Sequence, residues 1–195
     1  MFASDQPYGD FHLVTPRLAC RKFIADDLPA FARLYTDPDI MRHLADGVAF
    51  TPRQVAERFA RVQAHYRRQG FGMWAIVDRH TNKIIGRAGL QHLSEVDEVE
   101  VGYALFPEYW GKGLATEIAG ALVNYGFEKL NFPRIVALVS PKNAASIRVL
   151  EKIQLHNERT LELPTGPALL LSARRAEWQL DVAHASLLPP SGAPI

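Results

Sequence analysis

The stretch EVGYALFPEYWGKGLAT, residues 100–116, decides how this chain is read. Its first half reads as a strand that ends at Pro107. A short loop follows with Gly111 and Gly113, and a helix begins at once. That order suits phosphate. The first amides of a helix lack backbone partners and point along its axis, and the helix dipole adds partial positive charge. Glycine lets the backbone close on an anion with no Cβ in the way, and Lys112 could add charge at the rim. A plain strand-to-helix connection would look the same. A dinucleotide fold fits poorly, because the preceding strands form a meander and no acid sits suitably on a following strand. A Walker A loop is excluded, since no Gly-Lys-Ser/Thr follows the glycines.

Working outward, residues 71–78, 84–92 and 99–106 read as three strands joined by short polar turns, an antiparallel meander. Before them, Thr51-Pro52-Arg53-Gln54 is a helix start that combines a capping box with Pro in the first turn. Val55, Phe59, Val62 and Tyr66 form one apolar stripe, and Gly70 stops that helix. Further upstream, residues 11–24 read as a strand with an irregularity at Pro16. A short helix follows, capped by Asp26, with Pro29 tolerated in its first turn. Downstream, residues 113–130 are helical with Leu114, Ile118 and Leu122 on one face. Residues 134–139, RIVALV, suit a strand covered on both faces. A second amphipathic helix spans 144–153, and 168–180 reads as a closing strand. The expectation is an α/β (α+β) fold in one domain over 11–180, between an N-terminal arm (1–10) and a C-terminal tail (181–195).

Composition narrows the function classes. The 195 residues are 48% hydrophobic, enough for one substantial core, and the net charge is +1. That balance gives no basic footprint for nucleic acid. No apolar run is long enough to cross a bilayer, and residues 1–10 do not read as a signal peptide. One cysteine, Cys20, excludes an internal disulfide and fits a reducing, cytoplasmic setting. It sits in a strand as a small buried hydrophobe rather than a nucleophile. The seven histidines show no metal-ligand spacing, so no metal is expected.

Residues 100–116 resemble motif A of the GNAT superfamily of N-acetyltransferases, and their wording is similar to the RimJ/RimL branch that acetylates ribosomal proteins. The resemblance implies a mixed, mostly antiparallel sheet flanked by helices, with acetyl-CoA as co-substrate. The family's pyrophosphate stretch would run from Trp110 through Gly113 to Ala115, with Trp110 replacing a polar residue. Its backbone donors would fall on Gly111, Lys112, Gly113, Leu114, Ala115 and Thr116. The strand before it would splay and receive the pantetheine arm at Tyr103, Ala104 and Leu105. Ser140 to Ser146, SPKNAAS, resembles motif B and implies a coenzyme contact at Asn143, helped by Ser146; Asn143 also reads simply as an N-cap. Thr15-Pro16-Arg17-Leu18 resembles the branch's opening strand, and Arg174 to Trp178 its closing one.

Two departures stand out. Gln154-Leu155 replaces the usual Gly-Phe, and Leu150 replaces the Tyr that many members use to protonate the departing thiolate. The implied reaction is direct attack of a primary amine, on a protein N-terminus or a small molecule, on the thioester. The amide of Leu105 would stabilise the oxyanion. Glu100 is the candidate base; Glu98, on the same strand face, is its rival, and His92 a third. Water, Ser140 or Ser146 could return the proton to sulfur. Acids near the acceptor loops, Asp46, Glu57, Glu158 and Glu162, read equally as surface charges. The protein would act as a monomer or homodimer. A module that binds acyl-CoA without turning it over is the competing reading.

Overall fold

In the computed structural model, which describes residues 11–44, 47–94 and 96–178, Pro16 does more than disturb the opening strand. It turns the chain, because proline fixes φ and offers no N–H to a ladder. The result is a hairpin of β1 (Leu13–Val14) and β2 (Leu18–Arg21), with Leu13 opposite Cys20. Thr15 closes it: its hydroxyl takes the Leu18 amide at 3.1 Å. The expected single strand over 11–24 is therefore two short ones.

A one-turn 3-10 segment, Ala25–Asp27, leads into α1 (Leu28–Thr36). The expected cap, Asp26, is exposed, and Asp27 stands at the cap position instead. Its carboxylate accepts the Ile24 amide at 2.8 Å and grips Arg21 with both oxygens, at 2.5 and 2.9 Å. A short α2 (Pro38–Met41) follows, capped by Asp37. α3 (Pro52–Gln69) starts and stops where its sequence signals lie: Gln54 accepts the Thr51 amide at 2.8 Å, and Gly70 ends it at φ 74°. Its stripe buries Val55, Val62 and Tyr66, with Phe59 partly covered.

The meander is β3 (Met73–Asp78), β4 (Ile84–Leu93) and β5 (Glu98–Leu105), antiparallel throughout. α4 (Leu114–Glu128) crosses to β6 (Arg134–Val139), which lies parallel to β5. α5 (Ala144–Lys152) then leads to the hairpin of β7 (His156–Leu163) and β8 (Gly166–Arg174). One mixed sheet results, in the order β1-β2-β3-β4-β5-β6-β8-β7. The closing strand ends at Arg174, where a 3-10 turn begins, so it is shorter than the expected 168–180. The arm and the tail both lie outside the described residues.

α4 packs tightly on the sheet. A Cβ on Gly126 would come within 2.5 Å of Ile135 Cδ1 and 2.9 Å of Leu90 Cδ1, so any larger residue here would make these side chains shift. Ile118, Leu122 and Phe127 join Leu90, Val101 and Ile135 in the core. Cys20 is buried, and burial pushes its thiol well above the usual range, which suits packing rather than chemistry. Among the described residues, no helix is long and apolar enough to cross a membrane.

Candidate active site

β5 and β6 register at Glu100 opposite Val136. Beyond that point, residues 101–105 and 137–140 line a cavity of about 440 Å³. Strand alternation tells which backbone groups face it. The Phe106 amide bonds back to Ile85 on β4 at 2.9 Å, so Leu105 and Tyr103 turn their N–H and C=O the other way, into the gap. Trp110 donates its indole N–H to the Leu105 carbonyl at 2.7 Å. The carbonyl is thus occupied, and the Leu105 amide faces the gap. The Tyr103 phenol reaches α5 and donates to the Ser146 carbonyl at 3.4 Å; burial pushes its pKa up to about 12.

The mouth of the gap is the loop before α4. Gly111 and Gly113 sit at φ 72° and 74°, the left-handed region that other residues enter only at a cost. Gly113 caps α4 without a side chain, so the first amides of the helix stay bare. The loop is held from behind by the β1–β2 turn. Arg17 donates Nε to Glu117 at 2.6 Å and Nη1 to the Lys112 carbonyl at 2.8 Å, and Glu117 also takes the Thr15 hydroxyl at 2.5 Å. On the other side, Arg33 of α1 forms a two-point ion pair with Glu108, at 2.7 and 2.8 Å.

Tyr103, Ala104, Leu105, Gly111, Gly113, Leu114, Ala115, Thr116, Asn143 and Ser146 all border this one cavity, and so does Glu100. Lys112 does not. Its ammonium lies over the Tyr109 ring, 5.3 Å from the centroid. Asn143 is the N-cap of α5, its Oδ1 taking the Ser146 amide at 3.1 Å, and it is buried beside the cavity. Capping and lining are the same position.

Glu100 enters from the floor. It accepts Gln91 Nε2 at 2.8 Å and faces the Leu138 amide at 3.5 Å, across the point where the strands part. Its rivals are engaged elsewhere. Glu98 pairs with Arg134 at 2.9 Å, and Arg134 also binds Glu158 at 2.6 Å. His92 meets Asp97 at 2.8 Å on the surface. Neither borders the cavity, nor do Glu57, Glu158 or Glu162; Asp46 lies outside the described residues. Leu150 borders it as a buried apolar wall.

Further polar neighbours of the cavity carried no signal in the sequence, among them Arg87 and Gln91 on β4, and His43 after α2. Burial, then the nearby Arg42, holds the His43 imidazole below its usual pKa, so it is neutral at pH 7. Only the register of β4 against β5 brings Arg87 and Gln91 to this face. Period-two alternation could have offered them once the partner strand was known.

The model of the acetyltransferase (GNAT) domain matches residues 17–156. The chain belongs to the GNAT acetyltransferase family. As a GNAT protein it is similar to YkkB of Bacillus subtilis, an uncharacterised protein, at 34% identity over 152 residues, 76% of this chain and 87% of YkkB. It also resembles the crystal structure of a GNAT-family acetyltransferase from Bacillus anthracis, with TM-score 0.73, 25% identity, and coverage of 86% of this chain and all of that one. A more distant fold neighbour is the spermidine N-acetyltransferase of Vibrio cholerae in complex with CoA and spermine, with TM-score 0.70 and 18% identity over 83% of this chain and 97% of that one. By family and by fold, the chain is an acetyltransferase domain. In this GNAT chain the parting of β5 from β6, the bare α4 terminus and Asn143 converge on one cavity.

Proposed function

We propose that the protein transfers an acetyl group from acetyl-CoA to a primary amine by direct attack, as in the RimJ/RimL branch. The observation that carries this reading is the gap between β5 and β6, with the bare N-terminus of α4 at its mouth. The residues fit the coenzyme. The amides of Gly111 to Thr116 would hold the pyrophosphate, since nothing but Arg17 Nη2, at 3.6 Å, approaches the Cβ position of Gly113. Tyr103 and Leu105 offer strand-edge groups to an extended arm, and Asn143 adds a side-chain amide. When bound, acetyl-CoA supplies an acyl group activated as a thioester.

Glu100 takes the proton from the incoming ammonium, directly or through one water, while the Gln91 and Leu138 contacts keep its carboxylate aimed into the gap. The Leu105 amide faces the developing oxyanion. Leu150 cannot return a proton to the thiolate. Ser140, Ser146 and the Tyr103 phenol border the cavity and carry hydroxyls, so one of these or water does so.

Calorimetric titration with acetyl-CoA, CoA and ATP tests the coenzyme site, and thiol release against an amine panel tests turnover. Saturable micromolar binding of the two CoA species, but not of ATP, is expected. Glu100→Gln should bind acetyl-CoA as the wild type does, yet turn over about a hundredfold more slowly. Unchanged turnover removes Glu100 from the mechanism. Binding without thiol release for any amine would leave a sensor of acyl-CoA.

A further inference from the structure

Among the described residues, Arg87 is a cation with no anion. Its side chain is 8% exposed, yet no carboxylate forms an ion pair with it among the described residues. Nε makes no hydrogen bond, Nη1 meets only the Met73 sulfur at 3.3 Å, and the guanidinium lies 5.5 Å from the Tyr35 ring centroid. Burying an unpaired charge is costly, and an apolar residue here would be cheaper. Arg21 shows how this same fold treats a buried arginine when its role is structural: Asp27 holds it with both oxygens.

Register places Arg87 on the same sheet face as the proposed base, Glu100. Arg87 stands opposite Ala104, Gly89 opposite Gly102, and Gln91 opposite Glu100, all on one sheet face. Met73 lies across the middle row, since a Cβ on Gly102 would meet its Cε at 2.7 Å. The guanidinium rests against that methionine's sulfur. It therefore leans over the Gly102 row, roughly 7 Å along the strand from Glu100. Among the described residues that line the cavity, Glu100 is the one carboxylate, against Arg87, Arg148 and Lys152. Arg148 and Lys152 come from α5, beside the proposed coenzyme seat, which accounts for them. Arg87 lies across the gap on β4.

We propose that Arg87 receives a carboxylate of the acceptor, so that the substrates are amines of the amino-acid class, with a carboxylate a few ångströms from the amino group. This rests on the acetyltransferase reading above. The guanidinium fork binds the carboxylate at two points, which presents the ammonium to Glu100. The ammonium first gives one proton to Glu100, the freed lone pair bonds to the acyl carbon, the carbon–sulfur bond breaks, and the second proton leaving nitrogen reaches the departing thiolate through a cavity hydroxyl or water. A polyamine would set cation against cation at this end.

The test compares thiol release from acetyl-CoA with free amino acids, their amides, peptides beginning with an acidic residue, and spermidine. The wild type is expected to prefer carboxylates over the matched amides. In Arg87→Gln the ratio of kcat/KM for amino acid over amide should fall about ten- to a hundredfold, mostly through KM, with Arg87→Lys between. Turnover of the peptides but not the free acids assigns the carboxylate to a side chain and keeps the proposal. Equal use of acid and amide by the wild type overturns it, and needs no variant. So does an equal loss for every acceptor in Arg87→Gln, or a preference that appears only with a carboxylated donor such as succinyl-CoA. Wild-type binding of acetyl-CoA, measured alongside, separates the two failures. Without it the acetyltransferase reading falls; with it and with turnover of neutral amines only, Arg87 alone is misassigned.

Discussion

At Gly113 the backbone conformation matters more than the space around it. The Cβ position meets only Arg17 Nη2 at 3.6 Å, but φ is 74°. A β-branched residue would pay about 1–2 kcal/mol for that conformation, and its side chain would stand in the proposed pyrophosphate seat. Gly113→Val should therefore lower acetyl-CoA affinity by about tenfold or more in calorimetry. Unchanged affinity would put the pyrophosphate elsewhere. The glycines were legible because a residue type that tolerates positive φ leaves its mark in the sequence. Lys112 shows the limit of such reading. A lysine beside two glycines looks like a phosphate ligand, yet its ammonium is drawn onto the Tyr109 ring, a contact that no motif records. Arg87 is a deeper case. Its meaning lies in the lack of a carboxylate around it among the described residues, and the sequence does not show which pairs fail to form.

At the level of elements, the β1–β2 turn is fastened to the first turn of α4 through Glu117. Burial alone would push this carboxyl up. Hydrogen bonds from Thr15, from the Arg17 amide and from the Arg17 guanidinium outweigh that, and hold it below its ordinary value of 4.5. A carboxyl lowered in the folded state stabilises fully above its unfolded pKa, and that stability is lost as pH falls through the folded value. Arg17 is half exposed, so the staple is worth only about 1–2 kcal/mol, or roughly 5 °C in Tm. Glu117→Gln should melt lower by that amount at neutral pH, and the gap should close below pH 4.5. A gap that persists in acid would mean the contribution is not ionic. Elements with apolar periodicity or caps, such as α3 and the meander, could be read directly. β7 could not: HNERTLEL is mostly exposed and carries no hydrophobic alternation. Its pairing with β8 supplies the strand character. The hairpin at Pro16 and the Asp27 cap were missed for a related reason. Each was decided by a partner, Leu18 for the turn and Arg21 for the aspartate, that local sequence does not identify.

Across the whole molecule, one sheet carries the cavity, and the strand order sets where it opens. The parallel step from β5 to β6 lies among antiparallel neighbours, so the gap opens inside the sheet rather than at an edge. The Arg21–Asp27 pair ties β2 to the start of α1, on the flank that bears α2 and His43. Both side chains are buried, at 2% and 6% exposure. Removing one partner would take from the other its buried counter-charge, at a cost on the order of 3–5 kcal/mol. Asp27→Ala should thus melt roughly 10 °C lower in a calorimetric scan. A loss near zero would mean that water reaches Arg21. The indole that closes the Leu105 carbonyl gives the molecule an optical reporter. Of the three tryptophans, Trp74 is buried in the core and Trp178 packs against Phe127. Trp110 alone borders the cavity, at 39% exposure. Its emission should shift as the coenzyme seat fills, and the native protein can then be titrated by fluorescence without a label.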